Sequence, residues 1–178
     1  MERKNAWETY DAKETAALEA VCARYRAYLD ASKTERECAQ ETVRLAESAG
    51  YRDINALLRA GERPAPGAKL YSVTMKKSVL LFLLGEKPLE EGLNIVGAHI
   101  DSPRLDVKQN PLYEDGGMAY LDTHYYGGIK KYQWVALPLA LHGVVAKKDG
   151  TCVTIAVGET EDDPVFTISD LLIHLAQD

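Results

Sequence analysis

Residues 64–67, Pro-Ala-Pro-Gly, divide this chain into two regimes. Each proline lacks a backbone donor and biases the residue before it toward extended structure, so no helix runs through the segment. Upstream, Leu18, Val21, Cys22, Tyr25, Tyr28 and Leu29 recur at three- and four-residue spacing, which predicts a helix over residues 7–31. Ser32 or Thr34 can cap a second helix carrying Cys38, Val43 and Ala46 on one side. It should stop at Gly50, a residue suited to a left-handed C-terminal position. Downstream, residues 70–73 and 78–84 read as paired strands. The second has an unbroken apolar run, which suits a strand covered on both faces; a buried helix shares that pattern, but the short length favours a strand. Residues 93–99 form another apolar strand candidate, and a polar cluster from His99 to Asp106 follows it. In open α/β sheets ligands bind at that end of a strand.

Beyond Pro111, Tyr, Thr, Val and Gly become frequent, and residues 146–153 read as a hairpin around Asp149-Gly150. Gly116-Gly117 and Gly127-Gly128 lack the strand-loop-helix context and the lysine of a phosphate loop, and so suit tight turns in a β domain. Residues 167–176 are expected to form a helix from a Ser169 or Asp170 cap. A domain boundary is placed near residues 104–110, dividing the chain into 1–104 and 105–178.

At 178 residues and 46% hydrophobic content, the chain can build one ordinary domain or two small ones. A net charge of −6 argues against a general electrostatic grip on nucleic acid. The charged N-terminus lacks the apolar stretch of a secretory signal, and the longest apolar run, residues 79–84, is far short of the ~20 residues that span a bilayer. The expectation is therefore a cytoplasmic protein without membrane or nucleic-acid partners. Cys22, Cys38 and Cys152 form no paired-thiolate spacing and are expected to be buried filler.

Of the residues able to do chemistry, His99 and Asp101 stand out. On a strand, residues two apart share a side, and a histidine with a nearby carboxylate suits a metal site: one neutral ring nitrogen binds, and a carboxylate orients a ligand imidazole. The spacing by itself leaves the alternative open, in which His99 hydrogen-bonds at a strand end and Asp101 starts a turn before Pro103. His124 and His142 match no metal motif and read as structural. Ser102 lacks the G-x-S-x-G elbow of an exposed nucleophile.

Residues 92–111, Gly-Leu-Asn-Ile-Val-Gly-Ala-His-Ile-Asp-Ser-Pro-Arg-Leu-Asp-Val-Lys-Gln-Asn-Pro, closely resemble the aspartyl aminopeptidase family of dinuclear zinc exopeptidases. Tyr125-Tyr126-Gly127-Gly128 is similar to the family's tyrosine-glycine-glycine element. Residues 168–175, Ile-Ser-Asp-Leu-Leu-Ile-His-Leu, are similar to its histidine-containing helix. The chain departs from the family at Thr74-Met75-Lys76-Lys77, where relatives carry an asparagine-arginine pair.

The resemblance implies an α/β fold: N-terminal helices and the first strands of a zinc-exopeptidase sheet, then the start of an inserted, mostly-β dimerisation domain. It implies His99 as a zinc ligand, Asp101 as the acidic residue supporting catalysis at the metal, and His174 as a second functional histidine, either on the metal or on the substrate. It further implies two zinc ions per complete site, with cobalt or manganese as alternatives, a homo-oligomer, and peptide substrates with acidic or neutral first residues. A two-zinc peptidase also needs a bridging carboxylate, further ligands and a general base. The family carries these beyond the inserted domain, so this chain is expected to be an N-terminal portion, inactive alone. Two alternatives stand beside that reading: half of a split enzyme completed by a complementary C-terminal portion, or a non-catalytic assembly module.

Overall fold

The computed structural model describes residues 3–168 of the chain. They fall into two compact units, one ending at Ile100 and the other starting at Asp101. The expected mixed α/β character is present, with helices first and strands after them.

The first unit opens with a short 3₁₀ turn, Ala6–Glu8, and then helix α1, Ala12–Asp30. The start of α1 is a capping box: the Asp11 carboxylate accepts from the Glu14 amide at 2.8 Å, and the Glu14 carboxylate accepts from the Asp11 amide at 3.0 Å. An interior rich in alanine and straight-chain residues then favours the helix intrinsically. The apolar spacing correctly locates α1, yet the helix has no fully buried residue, and Val21, Tyr25 and Leu29 stay exposed.

Helix α2, Glu35–Ser48, is capped by Thr34 and not by Ser32. It ends as its sequence suggests. Gly50 takes φ +85°, its amide donates to the Glu47 carbonyl, and the Tyr51 amide donates to the Ala46 carbonyl, a Schellman closure. Cys38, Ala39 and Ala46 are buried along one side, while the expected Val43 is only half-buried. The Tyr28 hydroxyl joins α1 to α2 through Cys38 Sγ at 2.8 Å and Thr42 Oγ1 at 2.9 Å. Desolvation, reinforced by the Cys38 contact, pushes its phenol above the ordinary value.

Strand β1, Arg52–Asp53, leads directly into helix α3, Ile54–Arg59, an element the sequence reading did not anticipate. After the Pro-Ala-Pro-Gly break come β2, Lys69–Thr74, and β3, Ser78–Leu83. The sheet order is β1-β2-β3, parallel between β1 and β2 and antiparallel between β2 and β3. Central β2 packs against α2 and α3, which places Leu70 at 2% exposure in the middle of the core. The turn from β2 to β3 puts both Met75 and Lys76 at positive φ, 55° and 58°. Such a turn normally draws glycine or asparagine, and this is the place where the chain differs from the family it resembles.

Two expectations fail here. Leu80, Leu81, Phe82 and Leu83 lie in a strand as expected but are exposed, because among the described residues only β2 pairs with β3 and no second layer covers its far side. Residues 92–103 form no strand at all; Ile95 and Val96 are 83% and 98% exposed. A strand exists by pairing, and no described segment pairs with this one.

The Tyr71 hydroxyl on β2 donates to Glu47 Oε1 on α2 at 2.7 Å. That bond, together with burial, pushes the phenol up to about 12. Because only the protonated phenol donates, the bond's stabilisation is complete below the unfolded-state pKa of about 10 and is lost as pH rises toward 12. Urea midpoints should therefore fall between these pH values in the parent more than in Tyr71→Phe. Parallel pH profiles for the two proteins would refute the coupling.

The second unit contains two antiparallel hairpins. Strands β4, Arg104–Asp115, and β5, Met118–Tyr126, turn at Gly116-Gly117, and β6, Leu141–Ala146, and β7, Cys152–Val157, turn at the expected Asp149-Gly150. Pro111 lies inside β4, where it cannot donate to the ladder, and the β4–β5 register shifts between Val107 and Leu112. At the other turn the Asp149 carboxylate accepts from the Thr151 hydroxyl and amide, and these bonds hold it below the usual carboxylate range. Cys152 is exposed and Cys22 half-buried, so only Cys38 matches the expected buried filler. The helix expected over residues 167–176 lies almost wholly outside the described residues.

Candidate metal centre

His99 and Asp101 sit on the irregular stretch between the two units' regular elements, His99 exposed and Asp101 half-buried. No strand aims the two side chains to one side, as their spacing suggests it would, because this stretch is irregular. Asp101 is instead oriented by an acceptor bond: the Tyr126 hydroxyl donates to its Oδ2 at 2.8 Å.

The β4–β5 register explains why Tyr126 is in position. Arg104 pairs with Tyr126, and Asp106 with His124. Directly opposed residues on antiparallel strands present their side chains to the same face, as do residues two apart on one strand. Arg104, Asp106, His124 and Tyr126 therefore share one face at the open end of the hairpin. There the Arg104 guanidinium carbon lies 4.2 Å from the Tyr126 ring centroid, a cation–π contact. Arg104 Nε also donates to Asp106 Oδ1 at 2.8 Å.

The chain connecting Asp101 to β4 is held as well. Pro103 packs against Gly127, whose φ of +72° suits a residue without a side chain. The Tyr-Tyr-Gly-Gly element is thus a strand end followed by a turn that seats Pro103 beside Asp101. Its resemblance to the family's tyrosine-glycine-glycine element does not by itself imply a task for it. Neither the Tyr126 bond nor the Arg104 contact was foreseen, since each requires the strand register.

The remaining histidines are accounted for locally. His142 Nε2 lies 2.7 Å from Glu159 Oε1, and the His124 ring stacks on Tyr125 at 5.6 Å between centroids. His174 lies outside the described residues. An imidazole and a carboxylate are the donor types zinc takes, so His99 and Asp101 fit the metal in kind. They do not fill its shell: among the described residues no group of three or more His, Cys, Asp or Glu side chains converges. Among the same residues, no helix is long and apolar enough to cross a membrane.

Residues 28–178 match the family described as aminopeptidase I zinc metalloprotease (M18). A probable M18 family aminopeptidase 1 from Clostridium acetobutylicum is 54% identical over 177 residues, covering 99% of this chain and 38% of the relative. The crystal structure of aminopeptidase I from Clostridium acetobutylicum aligns with a TM-score of 0.81 and 55% identity over 99% of this chain and 39% of that one. Aminopeptidase I from Borrelia burgdorferi B31 aligns with a TM-score of 0.86 and 36% identity, over 96% of this chain and 41% of that one. The chain therefore spans about two-fifths of the length of the relatives it matches.

Proposed function

Because this chain belongs to the M18 family of aminopeptidase I zinc metalloproteases, we propose that it contributes the first part of the metal site of an enzyme removing N-terminal residues, acidic or neutral, from peptides. The observation that carries the reading is the segment from Gly97 to Pro103: His99 next to an Asp101 whose carboxylate is already anchored, in a chain matched to the family over residues 28–178.

In this reading His99 donates a neutral ring nitrogen to zinc. Asp101 supplies the supporting carboxylate, its direction set by the Tyr126 hydroxyl. His174 is the second functional histidine, on the metal or on the substrate. When bound, zinc supplies Lewis acidity toward the scissile carbonyl and the attacking water. Two ions per complete site, with cobalt or manganese as substitutes, a cytoplasmic setting and a homo-oligomer belong to the same proposal. So does the division at residues 104–105 into a catalytic portion and the start of an inserted dimerisation domain.

Exposed apolar strand β3, with Ile95 and Val96 beyond it, favours a working form in which further polypeptide covers these surfaces. In cis, that polypeptide carries the remaining ligands and the base; as a separate chain, it makes this one half of a split enzyme. The test is hydrolysis of aspartyl and alanyl anilides by the protein purified at its native length, before and after chelation. Zinc-dependent release from at least one of them is expected. Absence of release with full zinc loading, with and without added C-terminal polypeptide, would remove the proposal.

A further inference from the structure

The hydroxyl of Tyr126 is committed to Asp101, and its ring is held by a second pair of charged residues. We propose that Tyr126 is a positioning residue of the metal site, setting the direction of the Asp101 carboxylate, while Arg104 and Asp106 hold the Tyr126 ring in place. The inference rests on the reading of Asp101 as the acidic residue that supports the metal.

A carboxylate offers about four lone-pair directions, and rotation about its last torsion redistributes them at little cost. An aspartate on an irregular segment lacks the backbone constraint a strand would give it. The Tyr126 bond supplies the missing constraint from a regular element. Tyrosine suits the task because its rigid ring carries the donor away from the strand, and its O–H can only point along the ring plane's edge toward an acceptor. The ring in turn needs a fixed tilt. Arg104 provides it from the opposed position across the ladder, lying over the face at 4.2 Å, and Asp106 Oδ1 fixes Arg104 at 2.8 Å. Gly127 follows immediately and turns the chain so that Pro103, two residues after Asp101, rests against it. The tyrosine-glycine-glycine element thereby acquires a purpose: donor from the tyrosine, turn from the glycine.

The experiment uses the enzyme at native length, with zinc and with cobalt(II) in its place. Tyr126→Phe deletes the hydroxyl and keeps the ring under Arg104. It is expected to lower zinc affinity, measured by chelator competition, and kcat by on the order of 10-fold, the lower range for loss of an outer partner of a metal site. KM should stay within about 2-fold of the parent, since the hydroxyl acts on Asp101 and not on substrate. The visible absorption of the cobalt protein should shift, which a purely structural loss in the hairpin would not cause. Asp101→Ala with Tyr126→Phe should be no worse than Asp101→Ala alone, because alanine offers the hydroxyl no acceptor and both changes remove the same interaction. Arg104→Gln, which leaves the hydroxyl in place, should move the cobalt spectrum in the same direction by less, and it serves as the test if the phenylalanine variant does not fold.

Parent-like cobalt spectrum and zinc affinity in Tyr126→Phe, with both altered in Asp101→Asn, would overturn the positioning role and leave the proposed function standing. Parent-like values in Asp101→Asn as well would overturn both.

Discussion

With His99 as the proposed zinc ligand, replacing it with alanine in the native-length protein is expected to reduce the proposed aminopeptidase activity to background and to remove one zinc equivalent or weaken its binding severely. The ground is chemical. Zinc in a peptidase keeps an open coordination position for water and substrate, so the protein ligands that remain are few and each is essential to the shell. Asp101→Ala should cost less, on the order of 10- to 100-fold in metal affinity or turnover, because in the proposed site this carboxylate supports the metal without being its main ligand. It also leaves the Tyr126 hydroxyl without the acceptor it now has at 2.8 Å. Zinc content by elemental analysis and kcat/KM on an aminoacyl anilide report both effects. Near-normal metal content and turnover in both variants would sink the site assignment.

The second large effect is structural and independent of the metal. Leu70 is the most deeply buried large side chain described, at 2% exposure on the central strand of the first sheet. Its neighbours across the ladder are Arg52 and Phe82, and helices α2 and α3 pack on its strand. Leu70→Ala removes the side chain from the middle of these layers, and flanking backbone hydrogen-bonded on both sides cannot easily collapse into the space. A loss of about 2–5 kcal/mol in unfolding free energy is expected, read from urea titration with an unchanged slope. Glu19→Ala, at an exposed polar position of α1, is the control and should fall within about 0.5 kcal/mol of the parent. A Leu70→Ala cost as small as that of the control would mean that the first unit's core lies elsewhere.

Several elements were legible without coordinates because their causes are local. Helix α1 follows from side-chain spacing, and α2 from spacing plus the Thr34 cap and Gly50 stop. The hairpin at Asp149-Gly150 follows from a turn dipeptide between two β-prone runs. Helix α3 escaped notice since six residues scarcely exceed one turn and a half, too few for a period to declare itself. Residues 93–99 misled for the opposite reason. Their composition suits a strand, but composition expresses a tendency, and the hydrogen bonds that make a strand belong to its neighbour.

The candidate site divides in the same way. His99 and Asp101 are proposed from the resemblance of residues 92–111 to a known family, since their spacing by itself leaves a turn and a strand-end hydrogen bond open as the alternative. Asp101's partner was not legible in that way, since Tyr126 stands 25 residues away and its facing depends on the β4–β5 register. A one-residue slip would send that side chain to the other face. The sequence by itself determined α1 and α2, the stop of α2 at Gly50, the Asp149-Gly150 turn and the family, and it offered His99 and Asp101 for the proposed site. Only the tertiary structure decided which tyrosine of the Tyr125-Tyr126 pair reaches Asp101, that Arg104 lies over its ring, and that β3 and residues 95–96 remain uncovered. The first set is written in interactions between near neighbours along the chain, and the second in pairings across a ladder whose partners no local pattern names.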